Sequence, residues 1–208
     1  MDRNEDFHVI GLTGPTGAGK STVSEVFSNE GFFVINCDEV SHEVTDSSAE
    51  CLAELVHEFS ASVLNDDGTL NRRRLADIVF ADKSKKACLE GVIYPYITEK
   101  ILKILKSAAE NGIKYVLLDA PTLFESNADD FCDMVVCVTA SEEMRFQNIT
   151  RRDGITPKQA RARIEAQPPE EFYIKRSDFT IYNKSCIDTL RKMAKEIAVR
   201  IKEYYAGD

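Results

Sequence analysis

The 208-residue sequence has no apolar run longer than five residues, the stretch Met134–Val138. It therefore lacks the roughly 20 consecutive apolar residues that a membrane-crossing helix requires. The opening segment, Met1-Asp2-Arg3-Asn4-Glu5-Asp6, is charged and leads into a strand-like stretch, with no secretory hydrophobic region. The six cysteines, at 37, 51, 88, 132, 137 and 186, include no pair with the two-residue spacing of a zinc knuckle or a redox dithiol. Reduced thiols in a cytoplasm are the expectation. His8, His42 and His57 show no metal-ligand grouping and are read as incidental. Bases are outnumbered by acids, 26 to 35, for a net charge of −9. Such a chain does not attract nucleic acid through its overall field, and no nucleic-acid partner is expected. No internal repeat or low-complexity tract is visible.

What is present is ordinary for a globular domain: 43% hydrophobic and 29% charged residues. The length suits one domain, which buries roughly 70% of its unfolded surface without needing a disulfide or metal. Phe7 to Thr13 reads as a buried strand running into a glycine-rich turn. Residues 20 to 30 follow with Val23, Val26 and Phe27 at helical spacing, and Gly31 is placed to end that helix. Phe32-Phe33-Val34-Ile35 is a second strand, so the opening is a βαβ unit and implies a parallel sheet.

The stretch from about 39 to 110 reads as mostly helical, with a turn at Asp66-Asp67-Gly68 and a kink or break at Pro95. Strands are expected at Tyr115–Asp119 and Met134–Val138, with a short fifth strand at Phe179–Tyr182. Helices are expected at 141–152 and 157–167. A last helix, 186 to about 205, is capped by Ser185 and turns Ile187, Leu190, Met193, Ala194, Ile197, Ile201 and Tyr204 to one face. The fold class is α/β: three layers with a helical insertion between the second and third strands.

Gly14-Pro15-Thr16-Gly17-Ala18-Gly19-Lys20-Ser21 fits the pattern G-x-x-x-x-G-K-[ST], between an expected strand and an expected helix. Its glycines let backbone amides approach phosphate oxygens, and the helix adds its positive N-terminal end. Lys20 is placed for the β- and γ-phosphates, Ser21 for Mg²⁺ and Thr22 for the α-phosphate. The loop predicts a nucleoside triphosphate ligand.

A switch GTPase and a small-molecule kinase both use this loop. The only Asn-Lys, Asn183-Lys184, is followed by Ser185-Cys186 and not by the Asp of a guanine reader. Asp119 is followed by Ala120-Pro121-Thr122 and so begins no Asp-x-x-Gly. A kinase calls for an acid beyond the second strand and a basic lid. Asp38 stands at the first position, on the rim where parallel-sheet ligands bind. It is equally suited to cap a helix starting at Glu39. Residues 145 to 176 hold eight bases (Arg145, Arg151, Arg152, Lys158, Arg161, Arg163, Lys175 and Arg176) against four acids. A solvated helical face is the other reading of that window.

Beyond the loop, several blocks resemble the dephospho-CoA kinase family, from about Val9 to Tyr205. They are Gly11-Leu12-Thr13-Gly14; Val34-Ile35-Asn36-Cys37-Asp38; and Asp67-Gly68-Thr69-Leu70-Asn71-Arg72 with Leu75 and Val79-Phe80. Further along come Pro121-Thr122-Leu123-Phe124-Glu125, then Arg152-Asp153-Gly154 with Ala160 and Arg163-Ile164-Glu165-Ala166-Gln167. The resemblance implies transfer of the γ-phosphoryl group of ATP, with Mg²⁺, to the ribose 3′-hydroxyl of dephospho-CoA in the cytoplasm. A monomer with no membrane partner is the expected state. It also implies a P-loop kinase with a five-stranded parallel core (about 7–38, 113–147 and 177–208), a helical substrate insertion (about 39–112) and a lid (about 148–176).

By resemblance, Asp38 is catalytic and lies near the acceptor hydroxyl, joined in catalysis by Lys20 and Arg152. Arg152 and Arg163 are lid residues facing the phosphates, while Arg72, Phe124 and Glu125 serve the acceptor. The sequence departs from the family pattern at Tyr94, where His is usual; at Asn36, where Asp is usual; at Thr122; and at Asn148, where arginine is frequent. A related kinase for a nucleoside monophosphate is the alternative reading.

Overall fold

The computed structural model describes residues 6–184 and 186–207, without the side chains at positions 80, 81 and 83. Ser185, expected as a helix cap, and the charged residues 1–5 lie outside them. The chain divides into two compact units, one of residues 1–35 and 108–208, the other of residues 36–107.

The first unit is built on a five-stranded parallel sheet of β1 (His8–Thr13), β2 (Phe33–Asn36), β3 (Tyr115–Asp119), β4 (Met134–Ala140) and β5 (Phe179–Asn183), in the order β2-β3-β1-β4-β5. β1 is central because both its faces are apolar: Ile10 and Leu12 alternate with Val9, and all three are fully buried. One face is covered by α1 (Lys20–Asn29) and α9 (Ile187–Ala206), which pack Val23, Phe27, Ala194, Ala198 and Ile201 against Ile10, Leu12, Val136 and Val138. On the other face Leu123 comes so near Gly11 that a Cβ there would lie 2.7 Å from its side chain. α1 ends as Gly31 suggested: Gly31 donates to the Ser28 carbonyl (2.9 Å) and Phe32 to that of Phe27 (3.0 Å).

Several details of this unit differ from expectation, among them β4, which runs on to Ala140. β2 is shifted one residue, to Asn36, and β5 runs on to Asn183. The α9 stripe is narrower than its period suggested, since Ile187 and Tyr204 are 51% and 59% exposed. At the C-terminal end the stripe is carried by Tyr205 instead of Tyr204: its ring packs on the core and stacks on His8 of β1 at 3.6 Å.

The second unit holds α2 (Cys37–Ser47), α3 (Ala49–Phe59), α4 (Arg72–Ala81) and most of α5 (Lys83–Glu110). Residues 60–71 are not helical: Ala61–Val63 is one 3-10 turn, and Leu64 and Leu70 make an antiparallel bridge around Asp66-Asp67-Gly68. Asp67 fixes that turn by accepting from the Thr69 amide (3.0 Å) and hydroxyl (2.6 Å), which hold its carboxyl below the usual range. Pro95 does not break α5, which is continuous through it. An interior proline costs about 3 kcal/mol, and burial of Ile101, Leu105 and Ala108 in the half that follows offsets that.

Candidate active site

The phosphate loop joins β1 to α1. Gly14 has φ 134°, and a Cβ on it would lie 2.1 Å from the Val138 carbonyl oxygen of β4. Gly17 has φ 79°, and a Cβ there would lie 2.7 Å from the backbone oxygen of Arg145 on α6 (Glu142–Asp153). Only glycine satisfies both the dihedral angles and the close approach.

Between these two contacts every loop carbonyl is taken. Gly14 accepts from Lys20 Nζ (3.0 Å) and Pro15 from the Ala18 amide (3.2 Å). Thr16 accepts from Arg145 Nε (3.0 Å), Gly17 from Asn148 Nδ2 (2.8 Å) and Ala18 from Asn183 Nδ2 (2.9 Å). Gly19 accepts from the amides of Thr22 (3.1 Å) and Val23 (3.3 Å). With the carbonyls tied back, the Gly17 and Gly19 amides donate to no protein acceptor among the described residues. Together with the N-terminal end of α1 they form a concavity of partial positive charge suited to phosphate oxygens. The Thr16 amide is instead taken by Gln167 Oε1 (2.9 Å).

Thr22 follows in the first turn of α1, and Ser21 there is exposed. β3, which pairs with β1 in register from His8↔Tyr115 to Leu12↔Asp119, brings Asp119 alongside the strand that feeds the loop. Ser21 and Asp119 offer hard oxygen donors, the set a Mg²⁺ ion takes. Among the described residues no cluster of three acids, histidines or cysteines forms a metal cage. An ion there would complete its shell from phosphate oxygens and water.

The basic segment is α6, α7 (Pro157–Glu165) and α8 (Glu170–Ile174). Arg152 grips Asp153 through Nε to Oδ1 (2.6 Å) and Nη2 to Oδ2 (3.1 Å), and Arg163 of α7 reaches Asp153 Oδ2. The bonds from Arg152, aided by Arg163, hold the Asp153 carboxyl below the usual carboxylate range. Thr156 and Gln159 close a capping box at the start of α7, with Pro157 at its first position. α8 is anchored: Tyr173 is fully buried, its ring 6.5 Å from Phe124 and 5.3 Å from Phe172. Phe124, expected on the acceptor side, is itself buried in that cluster, 5.9 Å from Phe172. Burial pushes the Tyr173 hydroxyl upward, and Glu125, exposed beside Phe124, adds to that shift.

Asp38 and Arg72 belong to the second unit. Asp38 is not the cap of α2. Asn36 is, accepting from the Asp38 amide (3.0 Å) and the Glu39 amide (3.4 Å), while its Nδ2 donates to Glu39 Oε1 (3.0 Å). The Asp38 carboxylate is exposed in the first helical turn. Asn36 thus has a local task that Asn performs about as well as Asp, so this departure from the pattern is conservative. Thr122 is exposed, and its carbonyl accepts from the Ser126 amide (2.9 Å) and hydroxyl (2.8 Å), bonds that any side chain there would permit. Arg72 opens α4 and donates through Nη2 to Asp46 Oδ1 (2.6 Å) and the His42 carbonyl (3.2 Å).

Sequence reading missed the work of Arg145, Asn148, Gln167 and Asn183 on the loop. It also passed over Asp119, whose signal is an apolar strand ending in one acid.

Sheet, loop and basic helices define a P-loop kinase of the α/β class. A family model described as CoaE: Dephospho-CoA kinase matches residues 8–189. The chain belongs to the dephospho-CoA kinase family. It is 36% identical over 197 residues to a dephospho-CoA kinase of Corynebacterium efficiens, covering 93% of this chain and 98% of that one. Among solved structures, dephospho-CoA kinase from Campylobacter jejuni superposes with a TM-score of 0.69 at 28% identity, covering 96% of this chain and 98% of that one. A Thermus thermophilus protein superposes with a TM-score of 0.79 at 28% identity, covering 93% and 97% of the two chains.

Proposed function

We propose that this protein transfers the γ-phosphoryl group of ATP to the ribose 3′-hydroxyl of dephospho-CoA, releasing CoA and ADP, as a cytoplasmic monomer. The observation that carries the reading is the loop in which every carbonyl from Gly14 to Gly19 is tied back. Family membership supplies the acceptor.

In this reading the Gly17 and Gly19 amides and the first turn of α1 receive the phosphates, with Pro15, Thr16 and Ala18 shaping the cradle. Lys20 exchanges the Gly14 carbonyl for the β- and γ-phosphate oxygens, and Thr22 serves the α-phosphate. Ser21 and Asp119 hold Mg²⁺, which offsets charge on the phosphates. Arg152 and Arg163 close on the γ-phosphate and keep water from it. Asp38 accepts the proton of the 3′-hydroxyl as the new O–P bond forms and the bond to the ADP oxygen breaks. Its exposed carboxylate, relieved of capping duty by Asn36, supports that role. Arg72, steadied by Asp46, and the Phe124–Glu125 segment serve the acceptor.

The test offers the purified protein Mg²⁺ and ATP with dephospho-CoA, AMP, GMP or adenosine in parallel and measures ADP release. Dephospho-CoA is expected to react at least about ten-fold faster than the others. Equal or faster turnover of AMP overturns the assignment. Lys20→Ala is the control: it loses most turnover while remaining folded.

A further inference from the structure

Arg145 is 7% exposed, the one charged side chain to be buried among the described residues. Its two hydrogen bonds go to neutral oxygens, Nε to the Thr16 carbonyl and Nη2 to Gln167 Oε1, both at 3.0 Å. No carboxylate among the described residues lies within ion-pair distance of it; Glu142, Glu170 and the Tyr173 hydroxyl act only from further away. Burial lowers its pKa, the mark of a cation whose charge the surroundings do not repay. A buried unpaired charge is costly to the folded state. Stability alone gives no reason to keep a cation there, since a neutral amide at this place could still donate to one of the two oxygens.

The location supplies a reason. Arg145 sits directly behind the loop, one peptide from Gly17, whose free amide faces the phosphate side. Together Arg145 and Gln167 hold both backbone polar atoms of Thr16, the carbonyl and the amide, so the guanidinium is fixed relative to the loop. One turn further along α6 the cation frequent in the family is replaced by Asn148, which is spent on the Gly17 carbonyl.

We propose that Arg145 is a positioning residue that carries a fixed counter-charge for the nucleotide polyphosphate behind the loop. It does not touch the phosphates. Its field reaches them through one layer of backbone in a poorly screened interior, and the bound nucleotide supplies the negative charge that the folded protein withholds. The inference rests on the reading that residues 14–21 bind the phosphates of ATP.

The test compares Arg145→Gln, Arg145→Lys and the double variant Arg145→Gln with Asn148→Arg. It uses Mg-ATP titration calorimetry and melting temperature with and without Mg-ATP. A unit charge a few ångströms away in a medium of effective dielectric about 20 changes affinity by roughly ten-fold or more. Arg145→Gln is therefore expected to weaken Mg-ATP binding about ten-fold, while the nucleotide-free protein melts at or above the wild-type temperature. Arg145→Lys, which keeps the charge but not the two-oxygen grip, stays within about three-fold of wild type. The double variant recovers much of the loss by restoring a cation on the same helical face.

A purely structural clamp predicts the opposite: Arg145→Gln melts well below wild type or fails to fold, Arg145→Lys is no better, and the double variant recovers nothing. Any of these overturns the proposal, as does unchanged Mg-ATP affinity in Arg145→Gln. A wild-type protein that itself does not bind Mg-ATP overturns instead the reading of the loop on which the proposal rests.

Discussion

Arg152 and Arg163, on consecutive helices, are tied to each other through one carboxylate. Arg152 holds both oxygens of Asp153, and Arg163 shares Oδ2 with it. The arginine side chains are 62% and 48% exposed, whereas that of Asp153 is only 18% exposed. The acid thus gathers two cations on a surface that would otherwise let them drift apart. Bonds of this exposure add little to stability, and their effect is geometric.

Asp153→Asn removes the shared anchor. α7 is then held by its packing on α6 and its capping box, whereas α8 keeps the buried ring of Tyr173. Hydrogen exchange is expected to quicken in residues 154–166 and to stay unchanged in 170–174. In the wild type, the same 154–166 segment slows when an ATP analogue and acceptor bind together. Uniform exchange across both segments, before and after ligand, would mean that no lid exists within them.

Arg152→Ala separates ground-state binding from transition-state stabilisation. If Arg152 meets the γ-phosphate mainly as it leaves ADP, kcat falls more than the KM for ATP rises. Arg152→Lys rescues only part, because it keeps charge and loses the planar fork. Steady-state kinetics with ATP varied at saturating acceptor checks this, and a change confined to KM sinks it.

Asp38→Asn preserves size and leaves the α2 cap to Asn36. General-base assistance is typically worth about 10²–10⁴ in rate, and that loss is expected in kcat. The helix-end contribution of a first-turn acid is only about 0.3–1 kcal/mol, so the melting temperature moves by a few degrees at most. A fall in kcat under about three-fold removes Asp38 from the chemistry.

His8 gives the fold a pH dependence of definite sign. Desolvation of its ring, stacked at 3.6 Å on Tyr205, lowers its pKa from 6.5, with Asp133 and Asp6 opposing. The folded state then binds fewer protons than the unfolded one as pH falls through 6.5, so stability present above that pH is lost below it. His8→Phe keeps a ring on Tyr205 and removes the titration. Its melting temperature is expected to fall less than that of the wild type between about pH 7.5 and about pH 5.5. An equal fall in both proteins would place the pH dependence elsewhere.

Some of this was legible without coordinates because its causes are local. The βαβ opening, the phosphate loop and Gly31 as a helix stop depend on neighbours a few positions apart, where periodicity and glycine placement act directly. The basic window was visible as charge, but which of its cations point outward was not. Arg145 counts with Arg152 in composition, yet it is buried behind the loop while Arg152 is 62% exposed. Asp38 as a cap failed for a local reason: α2 starts at Cys37, directly after β2 and two residues earlier than expected, which puts the cap on Asn36.

The residues of Gly14–Ser21 determined by themselves that a phosphate loop would form, since strand, glycines and helix start are contiguous and their dihedral preferences are intrinsic. Family resemblance, spread over ordered blocks, was equally a property of the string. Only the tertiary structure decided what holds the loop open. Thr16, Gly17 and Ala18 are fastened by Arg145, Asn148 and Asn183, partners 129, 131 and 165 positions away. Parallel strands joined by long crossovers bring such residues together through sheet register and helix packing. No pattern within a window of sequence encodes a hydrogen bond whose partners meet only when β1, β4 and β5 lie side by side.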